Sequence, residues 1–153
     1  MNAFELRVPP LIITLLVAAI MWGMSKMGAS IEIPSVVRYV VTATIGFVGG
    51  CIGLAGIVSF RRAKTTVNPL KPENASSLVT AGIYSVTRNP MYLGILFVLL
   101  AWAVFLTSAW ALVGPVAFVL YINRFQIAPE ERVMTTMFGA SHSEYMARVR
   151  RWL

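Results

Sequence analysis

Three long stretches of this 153-residue chain carry no formally charged side chain, and they constrain its fold more than any other feature. They cover residues 8–25, 39–60 and 89–123, which are 18, 22 and 35 residues long. A helix needs about 20 residues to cross the hydrocarbon core of a bilayer, so the first two stretches predict one span each. The third would make a helix of about 52 Å, which is too long for one crossing, so we expect it to fold back on itself.

The turn in the third stretch is predicted at Thr107-Ser108, and Gly114-Pro115, the competing break, is interpreted as a kink in the fourth helix. The first stretch is expected to be a retained helix, not a cleaved signal peptide. The prediction is therefore one all-α integral membrane domain over residues 1–153, a four-helix bundle whose last two helices form a hairpin. Its predicted spans are residues 8–26, 38–60, 90–106 and 109–126. We expect a cytoplasmic loop over residues 61–89 and short cytoplasmic helices in the tail, residues 127–153.

The charges support a membrane environment and indicate an orientation. Only 12% of residues are charged, about half the share of a soluble domain, which excludes a disordered chain and a water-soluble enzyme. The net charge of +7 is confined between the apolar stretches, which favours anionic lipid over nucleic acid as the partner. By the positive-inside rule both termini and the site are expected to face the cytoplasm, because most basic residues lie in the predicted loop or at and after the end of the last span. These residues are Arg61, Arg62, Lys64, Lys71, Arg88, Arg124, Arg132, Arg148, Arg150 and Arg151.

The second span is rich in glycine at helical spacing, as in the pairs Gly46/Gly50 and Gly49/Gly53. Such pairs let membrane helices approach closely. We expect this face to pack within the bundle, and a homodimer through the same face is the alternative. Cys51, the only cysteine, excludes an intrachain disulfide and is expected to be a small buried residue.

The entry to the third span is the first candidate for chemistry. Asn89 is a good N-cap residue and Pro90 a good first residue, so a helix should begin here. Its first-turn amides beside Arg88 would favour an anion, and Gly94 would let a ligand or another helix come close. The same features also suit an ordinary capped helix with interfacial anchors.

The second candidate follows the fourth span. Pro129 can begin a helix whose first turn holds Glu130 and Glu131, and Gly139 can end it. The two acids suit the helix dipole, but they would also accept hydrogen bonds from a cationic ligand or from ribose hydroxyls. Residues 141–144 fit a capping box, so His142, the only histidine, is expected to be a surface or capping residue. No metal site is predicted.

These two segments resemble the isoprenylcysteine carboxyl methyltransferase family, which is grouped with membrane phospholipid methyltransferases. The resemblance covers residues 76–152. It rests on residues 88–94, Arg-Asn-Pro-Met-Tyr-Leu-Gly, on the Glu130-Glu131 pair, and on Phe138-Gly139 with Tyr145. The family usually has His at the position of Asn89, and members that methylate prenylcysteine have Arg at the position of Gln126, two residues after Arg124.

The resemblance implies S-adenosylmethionine as the methyl donor and a lipophilic acceptor: a prenylated cysteine, a lipid amine, a small thiol or another isoprenoid acid. The residues it implies for binding the donor are Ser76, Ser77, Leu78, Val79, Tyr84, Asn89, Pro90, Met91, Tyr92, Gly94, Glu130 and Glu131. Those expected to position or contact the reacting groups are Arg88, Asn89, Tyr92 and Arg124. A membrane reductase that uses NADPH and a non-catalytic membrane scaffold are the alternatives.

Overall fold

The computed structural model describes residues 5–28, 30–65, 70 and 72–153. Within these residues every regular element is helical, which confirms the all-α prediction. The five longer helices are α1 (Pro10–Met24), α2 (Ser35–Arg62), α3 (Pro90–Leu106), α4 (Val113–Ile122) and α5 (Ala128–Arg148). Short 3-10 turns cover Pro72–Asn74, Gly82–Ser85 and Ala109–Leu112, and a π-helical turn covers Asn123–Ile127. Lys71 and four other residues of the predicted loop, 66–69, lie outside the described residues.

Two helical runs are long and apolar enough to cross a membrane, namely α2 and the run Ala109–Arg148 that contains α4 and α5. The most apolar part of α2 is only 11% buried inside the protein, as expected for a helix surrounded by lipid. The helices α1 and α3 are apolar but shorter, with 15 and 17 residues. Four apolar helical segments therefore lie where the sequence predicts them, while four membrane crossings stay a prediction.

Glycines bring α2 and α3 into close contact. A Cβ added to Gly94 would lie 2.6 Å from the carbonyl oxygen of Gly49, and one added to Gly56 would lie 3.0 Å from the Met91 side chain. Packing within the bundle, the favoured use of these glycines, is thus observed. Gly50 points away from α3 into open space among the described residues. The prediction that Cys51 is buried is wrong, because this neighbour of Gly50 is exposed on the same uncovered face.

The core lies where α1, α3 and α4 meet, around Met21, Leu99, Phe118 and Ile122, all at most 1% exposed. Gly114 lies directly against Met21 and allows α1 to approach the start of α4. The 3-10 turn Ala109–Leu112 ends just before this glycine, and α4 begins at Val113. The predicted kink at this point stays a prediction.

The predicted break in the third apolar stretch is found at Thr107. Helix α3 ends at Leu106, Thr107 is left-handed (φ 50°, ψ 37°), and helical structure resumes at Ala109. A left-handed residue after a helix satisfies the last carbonyl groups and reverses the path of the backbone. The antiparallel arrangement of the two helices in a membrane stays a prediction.

The expectation of separate short helices in the tail is wrong in one respect, because α5 continues from the fourth apolar segment. Pro129 cannot donate a backbone hydrogen bond and would crowd the carbonyl group four residues earlier, that of Phe125. The preceding π-helical turn accommodates the proline. The Ala128 amide donates to the Asn123 carbonyl, and the Phe125 carbonyl accepts from the Leu6 amide at 3.1 Å. Gly139 does interrupt α5, with φ 52° and ψ −124°, as predicted.

Candidate active site

A cavity of about 360 Å³ lies between the entry to α3 and the start of α5. Its volume is within the usual range for a small-molecule site. Its lining is mostly apolar and aromatic, with a few charged groups at one side. The lining residues are Pro9, Pro10, Leu11, Phe60, Ala75, Leu78, Val79, Tyr84, Arg88, Asn89, Met91, Tyr92, Ile95, Ile127, Glu130, Glu131, Met134, His142 and Tyr145.

A polar cluster joins the two candidate segments across the cavity. The Tyr92 hydroxyl donates to Oε1 of Glu130 at 2.5 Å. The Gln126 side chain, itself buried, also hydrogen-bonds to both residues. Burial raises the pKa of Glu130 to about 8; the bonds from Tyr92 and Gln126 oppose this rise, and the nearby charge of Glu131 adds to it. Glu130 is therefore a carboxyl group that changes charge near neutral pH.

Glu131 has a different environment, because two arginines neutralise it. Its carboxylate is 3.1 Å from Nη2 of Arg88 and 2.5 Å from Nη2 of Arg151. The pair with Arg151 is bidentate, which fixes the orientation of both side chains. The Nε atom of Arg88 is buried and lacks a hydrogen-bond partner in the described part of the chain. Glu131 thus holds Arg88 in place and leaves one of its donors available.

Backbone carbonyl groups of the last residues accept hydrogen bonds from the entry of α3. The Arg150 carbonyl accepts from the Arg88 amide at 3.0 Å, and the Arg151 carbonyl accepts from Nδ2 of Asn89 at 2.9 Å. Helix α3 begins at Pro90 as predicted, but the role of the Asn89 side chain as a cap is wrong. Its amide group is directed to the chain terminus instead, from a backbone conformation (φ −131°, ψ 55°) that does not suit an N-cap.

Aromatic rings form another wall of the cavity. The Tyr145 hydroxyl donates to the Tyr84 carbonyl at 2.8 Å, and the Tyr84 ring packs edge-on against Phe60, with 5.2 Å between centroids. Burial raises the pKa of Tyr145 to about 12 and that of Tyr84 well above its usual range. Both phenols are therefore neutral at physiological pH.

His142 lies inside the site, so its expected place at the surface is wrong. The side chain is buried, at 4% exposed, and its Nδ1 is 2.9 Å from the Thr135 hydroxyl. In a straight helix, residues seven apart are separated by about 10.5 Å along the axis. The break at Gly139 turns the end of α5 back and brings the two side chains together.

The structure brings nine of the predicted site residues to the cavity wall: Leu78, Val79, Tyr84, Arg88, Asn89, Met91, Tyr92, Glu130 and Glu131. Five others contribute elsewhere. Ser76 and Ser77 hydrogen-bond to the backbone just after α2, at 3.4 Å and 3.3 Å. Pro90 and Gly94 pack against α2, and Arg124 is exposed on the π-helical turn and does not line the cavity as described.

Several lining residues carry no local sequence signal. Pro9 and Leu11 line the cavity from the start of the chain, where the buried Glu5 pairs with Arg132 of α5 at 2.7 Å. Phe60 and Met134 look like ordinary apolar residues in their own helices. For His142 the capping-box pattern predicted an exposed residue. Only Gly139, whose positive φ interrupts α5, indicates that the backbone changes direction before His142.

Fold and site together define an all-helical arrangement of the described residues, with two runs apolar enough to cross a membrane and a small-molecule cavity lined by apolar residues and a polar cluster. The phospholipid methyltransferase family matches residues 37–141, which is most of the chain and includes the entry to α3 and the Glu130-Glu131 pair. The chain therefore belongs to the phospholipid methyltransferase family. This confirms the family relationship expected from the sequence.

Individual relatives agree with this assignment. Protein-S-isoprenylcysteine O-methyltransferases A and B of Arabidopsis thaliana are 32% and 28% identical over 105 and 109 residues. These matches cover 67% and 69% of this chain but only 52% and 54% of the plant proteins, so the chain spans about half their length. An uncharacterised protein of Haemophilus influenzae is 46% identical over 63 residues, which are 41% of this chain and all of that protein. No solved structure matches the chain significantly.

Proposed function

We propose that this chain is a membrane methyltransferase that binds S-adenosylmethionine in the cavity and methylates a lipophilic acceptor. Membership of a methyltransferase family supports the reaction class. The observation that carries the assignment to this cavity is the Tyr92–Glu130 pair, which joins the two segments of the family resemblance across it. The same membership weighs against the reductase and scaffold alternatives.

The residues present fit the chemical groups of the donor. S-adenosylmethionine carries an ammonium group and ribose hydroxyls, for which Glu130 offers an acceptor. It also carries a carboxylate, for which Nε of Arg88, without a partner among the described residues, offers a donor. The ring faces of Tyr84 and Tyr145 suit both adenine and the positive sulfonium. Leu78 and Val79 would pack against the bound molecule and exclude water.

When bound, the donor supplies an electrophilic methyl group and thus the difficult chemistry. The chain's own contribution is to align the acceptor and to keep water out. Tyr92 holds the Glu130 carboxyl group by a hydrogen bond, and Arg151 holds Glu131, which in turn holds Arg88. These contacts fix the polar wall before any ligand binds.

The acceptor would enter from the lipid. The apolar lining of the cavity includes Leu11, Ile95 and Ile127, and Leu11 is 65% exposed on α1. A hydrophobic acceptor dissolved in the bilayer could reach the cavity along this side without crossing water. We propose an isoprenylcysteine-type carboxylate or a related lipid or thiol as the acceptor.

We also propose that the site and both termini face the cytoplasm. The ion pair between Glu5 and Arg132 supports a common side for the start of the chain and α5, and the excess of basic residues supports the cytoplasmic side. If α2 mediates a homodimer, the face around Gly50 and Cys51 would form its interface, because α3 leaves that face uncovered.

Calorimetric titration of S-adenosylhomocysteine into detergent-purified protein tests the proposal. We expect saturable binding that Glu130→Ala weakens at least tenfold, or about 1.4 kcal/mol. The matched control is Glu144→Ala, which removes an exposed acid from the same helix and should bind like the wild type. Absence of binding by folded wild type at millimolar ligand, or equal loss in both variants, would refute the assignment of the cavity.

A further inference from the structure

One ring nitrogen of His142, Nε2, has no role in the proposed binding of the methyl donor. The side chain is 4% exposed and lines the cavity beside Glu131 and Tyr145. Its Nδ1 contacts the Thr135 hydroxyl, whereas its Nε2 has no hydrogen-bond partner among the described residues. A ring nitrogen without a partner among the described residues, on a side chain that lines a cavity, is available to a ligand.

The hydrogen bonds around Thr135 determine where the imidazole proton lies. A hydroxyl group has one proton to donate, and Thr135 donates it to the Glu131 carbonyl at 2.7 Å. The Thr135 oxygen must therefore accept at its 2.9 Å contact with Nδ1, so Nδ1 carries the proton of the neutral ring. In this tautomer Nε2 has a free lone pair and can accept a proton.

The surroundings keep the ring neutral. Burial lowers the pKa of His142; the charge of Glu131 opposes this and that of Arg88 adds to it. Glu131 is itself paired with Arg88 and Arg151, which limits its effect. The other titratable groups at the cavity are Glu130 and three phenols, those of Tyr84, Tyr92 and Tyr145. Burial keeps Tyr84 and Tyr145 neutral.

We infer that Nε2 of His142 accepts the proton of the methyl acceptor, and that the acceptor's nucleophile is a protonated group such as a thiol. This inference rests on the proposed function. In the step, a lone pair of the acceptor's sulfur forms the bond to the methyl carbon. The sulfur of the donor keeps the electron pair of the broken carbon–sulfur bond, and the acceptor's proton passes to Nε2 and then to water.

The chemistry of the acceptor distinguishes a base role for His142 from a purely structural role, in which its side chain only supports Thr135. A carboxylate acceptor is already ionised at neutral pH and needs no base, whereas a thiol with a pKa of about 8.5 is mostly protonated. Positioned general bases typically contribute 10²–10⁴-fold to rate. If His142 only supports Thr135, a side chain that keeps that hydrogen bond should preserve activity.

Asparagine provides this test, because its Nδ2 can donate to Thr135 in place of the histidine Nδ1. We would compare wild type with His142→Asn for S-adenosylhomocysteine binding and for methyl transfer to 1-dodecanethiol and to N-acetyl-S-farnesylcysteine, a carboxylate. We expect both proteins to bind S-adenosylhomocysteine within twofold of each other. Transfer to the thiol should fall at least tenfold in His142→Asn, and the wild-type rate should rise with pH along a limb that the variant lacks.

The alternative outcomes are separable. Wild type that does not bind S-adenosylhomocysteine would refute the proposed function and, with it, this inference. Wild type that binds it but does not methylate the thiol would refute the inference alone, as would a loss of less than tenfold or a loss of binding in His142→Asn. Because the chain has one histidine, ¹⁵N-histidine NMR reports its tautomer directly. A proton on Nε2 of the neutral ring would also overturn the inference.

Discussion

The affinity for S-adenosylhomocysteine should depend on pH through Glu130. Burial raises the pKa of this carboxyl group to about 8, so at pH 7 only about one tenth of the free protein carries the ionised form. A ligand whose ammonium group requires the carboxylate binds only that fraction, and its apparent dissociation constant is raised by the inverse of the fraction. We therefore expect affinity to increase about tenfold from pH 6 to pH 7, and to level off above pH 8.

Isothermal titration calorimetry at half-unit steps between pH 6 and pH 8.5 measures this dependence. Glu130→Gln keeps the shape of the side chain and its contact with Tyr92 but cannot ionise, so its weaker affinity should be independent of pH over the same range. Glu144→Gln, on the exposed part of the same helix, should retain the wild-type profile. A flat profile in the wild type, or the wild-type slope in Glu130→Gln, would refute the assigned role of Glu130.

Three further predictions concern packing and the contacts around the site. Gly94→Ala should lower the unfolding temperature in detergent well below that of the control Gly50→Ala. The new Cβ at residue 94 would lie 2.6 Å from an α2 carbonyl oxygen, whereas Gly50 faces open space in the described part of the chain. Glu131→Gln should increase hydrogen exchange at the last residues, which its ion pairs hold, and wild-type exchange there would contradict this. Glu5→Ala leaves Arg132 without its 2.7 Å partner, so it should weaken S-adenosylhomocysteine binding if the start of the chain helps to shape the cavity; unchanged affinity would exclude that role.

The sequence was most informative where local chemistry alone determines the structure. Proline has a fixed φ and lacks a donor, so Pro90 begins α3 where predicted. A polar pair within an otherwise apolar stretch marked the helix end at Leu106. The two candidate segments also meet at one cavity, as the family resemblance implied, through Tyr92 and Glu130.

It was least informative where side chains have alternative partners from distant parts of the chain. Asn89 is an eligible cap, but the Arg151 carbonyl, 62 residues away, binds its amide group instead. Gly94 could admit a ligand or a helix, and only the path of α2 decides in favour of the helix. His142 becomes buried because Gly139 redirects the backbone, an effect that the local polar pattern does not predict.

The most direct test of the central claim is methyl transfer in the membrane. Proteoliposomes containing the wild-type protein and total membrane lipid would be incubated with methyl-tritiated S-adenosylmethionine, and radioactivity in the organic extract would be measured. We predict extractable label well above that obtained with Glu130→Ala, and wild-type levels with Glu144→Ala. Equal label from folded wild type and Glu130→Ala would contradict the account of this cavity as the methyltransferase site.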